Sequence, residues 1–123
     1  MRRRHWAIFA CIILTAACDR RGSVPIQLVE GGSAERGNAR IESAGCGSCH
    51  VIPGVRGADG VVGPNLTAFG RHSFIGGEAP NTPDALVRWI MDPHQIEPAT
   101  VMPDLEINER DARDIAAYLY TLR

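Results

Sequence analysis

The sequence contains no lysine, and all of its 13 basic residues are arginine. They are outnumbered by 14 acidic residues, so a strongly basic face of the kind that binds nucleic acid is not expected. Long apolar runs are missing too: the longest, Trp6 to Ala17, falls short of the roughly 20 residues that a membrane-spanning helix needs. Internal repeats and low-complexity segments are absent, and 123 residues leave room for one small domain. Cysteine is scarce, with only four in the chain, so the place of each one carries information.

Two of the four cysteines fall in the amino-terminal stretch. Arg2, Arg3 and Arg4 precede the apolar run, which closes on small residues before Cys18. This is the layout of an export signal, assigned to residues 1–17. Leu14-Thr15-Ala16-Ala17-Cys18 resembles the lipobox of bacterial lipoproteins, whose cysteine becomes the lipidated first residue, although Thr15 stands where an aliphatic residue is commoner. The alternative is a plain secretory signal cut nearby, with Cys18 a passenger. Lipidation has the advantage of explaining an otherwise unpaired cysteine. Asp19 resembles the residue that retains some lipoproteins in the inner membrane. Without Arg2 to Arg4 the chain keeps 10 arginines against 14 acidic residues, a net charge of about −4.

The other two cysteines stand in Cys46-Gly47-Ser48-Cys49-His50, and this Cys-x-x-Cys-His spacing reads as a c-type haem attachment site. Two thiols three residues apart can each add to a vinyl group on one porphyrin edge, and the following imidazole can reach the iron from the proximal side. A zinc knuckle would need two further ligands, for which only His72 and His94 remain, unpaired in spacing. A thioredoxin-like redox pair would need strands alternating with helices, and no such pattern occurs. With haem on Cys46 and Cys49, lipid on Cys18, and Cys11 lost with the signal, no thiol is left for a disulfide.

Residues 18–32 read as a tether, rich in glycine and without helical period, which at about 3.3–3.6 Å per residue spans up to roughly 45–50 Å. Its Val24 to Val29 portion is apolar enough to lie against the domain instead. The domain, residues 33–123, is expected to be all-α: three main helices with irregular loops wrapped around one covalent haem. Ser33 caps a first helix whose narrow face is Ala34, Gly37, Ile41 and Ala44, and Gly45 ends it. Val51 to Asn81 is loop throughout, tolerable because a porphyrin supplies core that regular elements otherwise provide. Thr82 and Pro83 open a second helix with Leu86, Trp89 and Ile90 inward, stopped at Asp92-Pro93. Asn108 caps a last helix that begins with Glu109 and Asp111 and buries Ala112, Ile115, Ala116, Leu119 and Leu122.

If His50 is the proximal ligand, candidates for the second axial position are Met91, Met102, His72 and His94. Met102 stands in a loop with prolines at 98 and 103, where a side chain can project, and a thioether favours ferrous iron. Met91, at a helix end, suits core packing, and the two histidines sit beside turn residues that are usually solvated.

From these residues the chain, over almost all of 33–123, resembles the class I cytochromes c. Gly63-Pro64-Asn65-Leu66 is similar to the family's Gly-Pro-x-Leu, whose proline carbonyl accepts the proximal imidazole's hydrogen bond, so Pro64 would orient His50. Phe69-Gly70-Arg71 resembles the segment whose arginine meets a haem propionate. Leu86-x-x-Trp89-Ile90-x-x-Pro93 and Pro98-x-Thr100-x-Met102 match the approach to the axial methionine. In that match Trp89 takes a position where many relatives have a tyrosine near the sulfur, with simple core packing as its other reading, and Thr100 lies near a propionate. Asp114 to Leu119 resembles the terminal helix that crosses the first near Gly37 and Ile41. The loop from Arg71 to Leu86 is short against the mitochondrial type and lacks its propionate-binding tryptophan, a role left to Asn81 or Trp89. The missing lysines likewise exclude the lysine-ringed docking face of the mitochondrial proteins.

Gly45-Cys46-Gly47-Ser48-Cys49-His50-x-Ile52-Pro53-Gly54, with Asn81-Thr82-Pro83-Asp84, Met102-Pro103-Asp104-Leu105 and Ala117-Tyr118-Leu119-Tyr120-Thr121-Leu122, is similar to small bacterial cytochromes c that accompany haem-copper oxidases. The resemblance implies haem c, axial His50 and Met102, a lipid anchor at Cys18 on the periplasmic side of the inner membrane, and one-electron transfer to or within a terminal oxidase, without catalysis of its own. The competing class is a haem peroxidase or gas sensor with a labile distal ligand, for which no convincing distal acid or base is present.

Overall fold

The computed structural model of the protein describes residues 26–123. The proposed signal, Cys18 and the first part of the tether lie outside the described residues. Three α-helices carry the fold: α1 (Ala34–Ser43), α2 (Pro83–Met91) and α3 (Glu109–Leu119). Single 3-10 turns stand at Cys46–Ser48, Phe69–Arg71 and Pro93–Gln95. Where the sequence suggested only loop between Val51 and Asn81, a small antiparallel hairpin forms, with β1 (Phe74–Ile75) pairing β2 (Ala79–Pro80). Strands of two residues are too short to leave an alternating pattern in the sequence, which is why the hairpin was not anticipated.

Each helix begins where a side-chain oxygen can replace a missing backbone partner. Ser33, Thr82 and Asn108 are the N-caps, accepting from the amides of Arg36, Ala85 and Asp111 respectively. Pro83 costs nothing at the first position of α2, since that amide has no intrahelical partner. The faces follow the sequence closely, with Gly37 and Ile41 buried in α1 and Ala112, Ile115, Ala116 and Leu119 in α3. In α2, Ala85 and Val87 join Leu86 and Ile90 in the core, and Trp89 is only half-buried.

The contact of α1 with α3 is the frame of the molecule. Gly37 lies so close to the Asp114 carbonyl and the Tyr118 Cβ that any side chain there would overlap them. An ion pair between an exposed arginine and a buried aspartate fastens the same crossing: the Arg36 guanidinium grips both carboxylate oxygens of Asp114 at 2.7 Å, and the Ser33 amide donates to one of them, also at 2.7 Å. Arg36 holds the Asp114 carboxyl below the usual aspartate range, against the opposing effect of burial. Arg40 repeats the link one turn on, donating to Asp111 at 2.7 Å.

Of the stretch read as a tether, residues 26–32 are described, and part of them lies against the domain. Val29 is buried, Gln27 Nε2 donates to the Asn81 carbonyl at 2.8 Å, and Arg113 donates to the Glu30 carbonyl at 3.3 Å. Ile26 and Leu28 alternate with these toward solvent. Among the described residues no helix is long and apolar enough to cross a membrane.

Candidate functional site

The chain leaves α1 and enters the 3-10 turn Cys46–Ser48, where the amides of Cys49 and His50 both donate to the Cys46 carbonyl, at 3.2 and 3.0 Å. One turn therefore carries two thiols and an imidazole. Neither thiol is in a disulfide, and burial pushes the Cys46 thiol up, so it stays protonated at neutral pH. The turn is anchored from the following loop by the amides of Gly60 and Gly63, which donate to the carbonyls of Gly47 and Cys49 at 3.0 and 2.7 Å.

His50 Nδ1 and the Pro64 carbonyl oxygen are 2.7 Å apart. A carbonyl can only accept, so Nδ1 carries the proton and Nε2 keeps its lone pair for a metal. The imidazole plane is fixed from one side by Gly63, where a Cβ would stand 2.5 Å from the ring carbon Cε1. This is the orientation that the Gly-Pro-x-Leu resemblance implied for Pro64.

These groups open onto a cavity of about 610 Å³, well inside the roughly 300–1,000 Å³ typical of cofactor sites. Ile41 of α1, Leu86, Trp89 and Ile90 of α2, and Ile115 and Leu119 of α3 supply apolar wall. Cys46, Cys49, His50, Pro64, Trp89, Thr100 and Met102 all line it, so seven positions singled out from sequence meet in one place. The Met102 amide donates to Thr100 Oγ1 at 3.2 Å, which braces the loop that carries the thioether. The six-membered edge of Trp89 packs over Gly76 at the hairpin turn.

Other expectations fare differently. Arg71 is exposed and is not part of the cavity wall, whereas the next residue, His72, is. Asn81 does not reach the cavity; it is buried, with Nδ2 donating to the carbonyls of Phe69 and His72 at 3.1 and 2.9 Å and Oδ1 accepting from the Tyr120 hydroxyl at 2.8 Å. Of the three rival axial candidates, Met91 packs against the core and His94 lies exposed in the Pro93–Gln95 turn, neither on the wall, whereas the exposed His72 lines the cavity together with Met102. The Asn81–Tyr120 clamp was not foreseen; His72 is exposed, as its neighbouring turn residues suggested, and stands at the cavity margin. Single polar residues inside an irregular stretch leave no periodic signal.

The donor set fits a covalent haem: an apolar slot of the right size, two unpaired thiols beside an imidazole with one nitrogen reserved, and a thioether on the same wall. It does not fit zinc: although Cys46, Cys49 and His50 share a turn, among the described residues no group of three His, Cys, Asp or Glu side chains is placed to hold one metal ion. A model of the cytochrome c family matches residues 34–123.

The chain belongs to the cytochrome c family.

No curated protein matches the chain. Family membership makes this cytochrome a haem-based electron carrier with covalently attached haem c and the all-α cytochrome c fold. Haem supplies the one-electron iron couple. The chain's own residues would hold it: Cys46 and Cys49 are the thiols available for attachment, the Pro64 carbonyl keeps the His50 proton on Nδ1, and most of the wall is apolar.

Proposed function

We propose that this cytochrome is an exported, lipid-anchored monohaem protein that carries single electrons to or within a terminal oxidase of the haem-copper type at the periplasmic face of a bacterial inner membrane. His50 and Met102 are its axial ligands, Cys18 its lipidation site, and it performs no catalysis of its own. One observation supports the reading most strongly: the imidazole with its proton committed to the Pro64 carbonyl shares a cavity with the Met102 thioether. With both axial positions filled by the protein, no iron site stays open to a substrate. A thioether ligand also favours the ferrous state and so a high potential, as suits a donor to an oxidase. The anchor and partner rest on Leu14-Thr15-Ala16-Ala17-Cys18 and on the similarity to oxidase-associated cytochromes.

The parent and Met102→Ala, both recovered from membranes, test the reading by intact mass and optical spectrum. The parent should carry haem and acyl mass increments together, and Met102→Ala should lose the low-spin six-coordinate spectrum. A parent without an acyl increment refutes the anchor, and an unchanged spectrum in the variant refutes Met102 as ligand.

A further inference from the structure

A haem brings two carboxylates into a cavity whose walls are otherwise mostly apolar, and a carboxylate left there without a donor is costly. Arg71, the residue that resemblance suggested for this task, lies off the wall, and Asn81 has both ends of its amide engaged inside the fold; Trp89 and Thr100 are on the wall, the indole against Gly76 and the Thr100 Oγ1 accepting from the Met102 amide. His72 is placed for it. Its side chain stands beside Phe69, with ring centroids 5.6 Å apart, and both residues line the cavity. Among the described residues no hydrogen bond engages its ring nitrogens, while its backbone is held at both ends: the amide donates to the Phe69 carbonyl at 3.0 Å, and the carbonyl accepts from Asn81 Nδ2 at 2.9 Å. Asn81 is itself locked by the buried Tyr120 hydroxyl. The imidazole is thus a free donor on a preorganised support, at the outer margin of the site where its exposure lets it meet a solvated carboxylate.

We propose that His72, and not Arg71, is the side chain on this wall that binds a haem propionate. It is a positioning residue rather than an iron ligand, and the inference rests on the His50–Met102 reading above. A donor at the propionate offsets negative charge near the iron and thereby disfavours the ferric state. Removing it lowers the reduction potential without changing the axial ligands.

The holoprotein tests this with His72→Leu, His72→Gln and Arg71→Leu, each read by potentiometric titration and optical spectrum. The expected result is a downward shift of the potential in His72→Leu, substantial recovery in His72→Gln, which keeps an N–H donor, and a smaller effect in Arg71→Leu, all with the parent's low-spin spectrum. An unmoved potential in His72→Leu, or a larger shift in Arg71→Leu, overturns the proposal. Loss of the six-coordinate spectrum in His72→Leu would overturn it differently, by showing that His72 is itself an axial ligand and that the His50–Met102 reading fails. Should Met102→Ala instead leave the spectrum intact while the His72 potentials behave as expected, only the Met102 assignment falls.

Discussion

A single methyl group measures how tightly the His50 imidazole is held. At Gly63 a Cβ would press on the His50 ring, and the ring cannot retreat without breaking its hydrogen bond to the Pro64 carbonyl. Overpacking of this kind costs about 1–3 kcal/mol. Gly63→Ala is therefore expected to accumulate with less haem per chain than the parent and with an altered spectrum, measured by haem content and absorbance; parent-like values would mean that the ring is not fixed here. At this scale much was legible in advance. Cys46, Cys49, His50 and Pro64 stand out in the sequence by type and spacing, and the structure places all four on one cavity. That His72 rather than Arg71 borders the cavity was not legible, because both are exposed and the 3-10 turn Phe69–Arg71 that sets their directions leaves no pattern in the sequence.

At the scale of elements, the helices were readable from their caps and periods, and the fastening between them was not. Ser33, Thr82 and Asn108 signal helix starts by local chemistry alone. Arg36 and Asp114 are 78 residues apart, and only the close approach allowed by Gly37 brings them together. Asp114, which the sequence marks only as part of the terminal-helix resemblance, is the buried anchor of α3. Asp114→Asn keeps the shape and an acceptor for the Ser33 amide but loses the charge. Its holoprotein is expected to be about 1–3 kcal/mol less stable than the parent at neutral pH in denaturant unfolding. The sign of the pH dependence follows from a carboxyl held below its ordinary value of 3.8. The parent's advantage is complete above that value and fades as pH falls through the lower folded-state value, so the two proteins converge in acid. Equal stability at neutral pH would show that the ion pair contributes nothing.

The molecule as a whole is a small chain that builds its walls around a cofactor-sized space. Helices meet on one side of that space at the Gly37 crossing, and the long stretch from Val51 to Asn81, with one short hairpin, closes much of the rest. Irregular backbone of that length is unusual in a compact domain; here its Ile52, Leu66, Phe69 and Ile75 line the cavity while also packing into the core with the helices. The segment was the least readable part of the sequence because the hydrogen bonds that hold it, such as those from the Leu66 amide to the Val51 carbonyl and from the Gly70 amide to the Leu122 carbonyl, follow no periodic pattern. What the molecule does depends on whether both faces of the iron belong to the protein. The most direct measurement is the optical spectrum of the purified wild-type protein in both oxidation states, with carbon monoxide added to the ferrous form. A ferric methionine-to-iron charge-transfer band and a low-spin ferrous haem that resists carbon monoxide are the results expected of a His50–Met102 electron carrier. A five-coordinate ferrous haem that binds carbon monoxide readily would contradict it and point to a sensor or peroxidase.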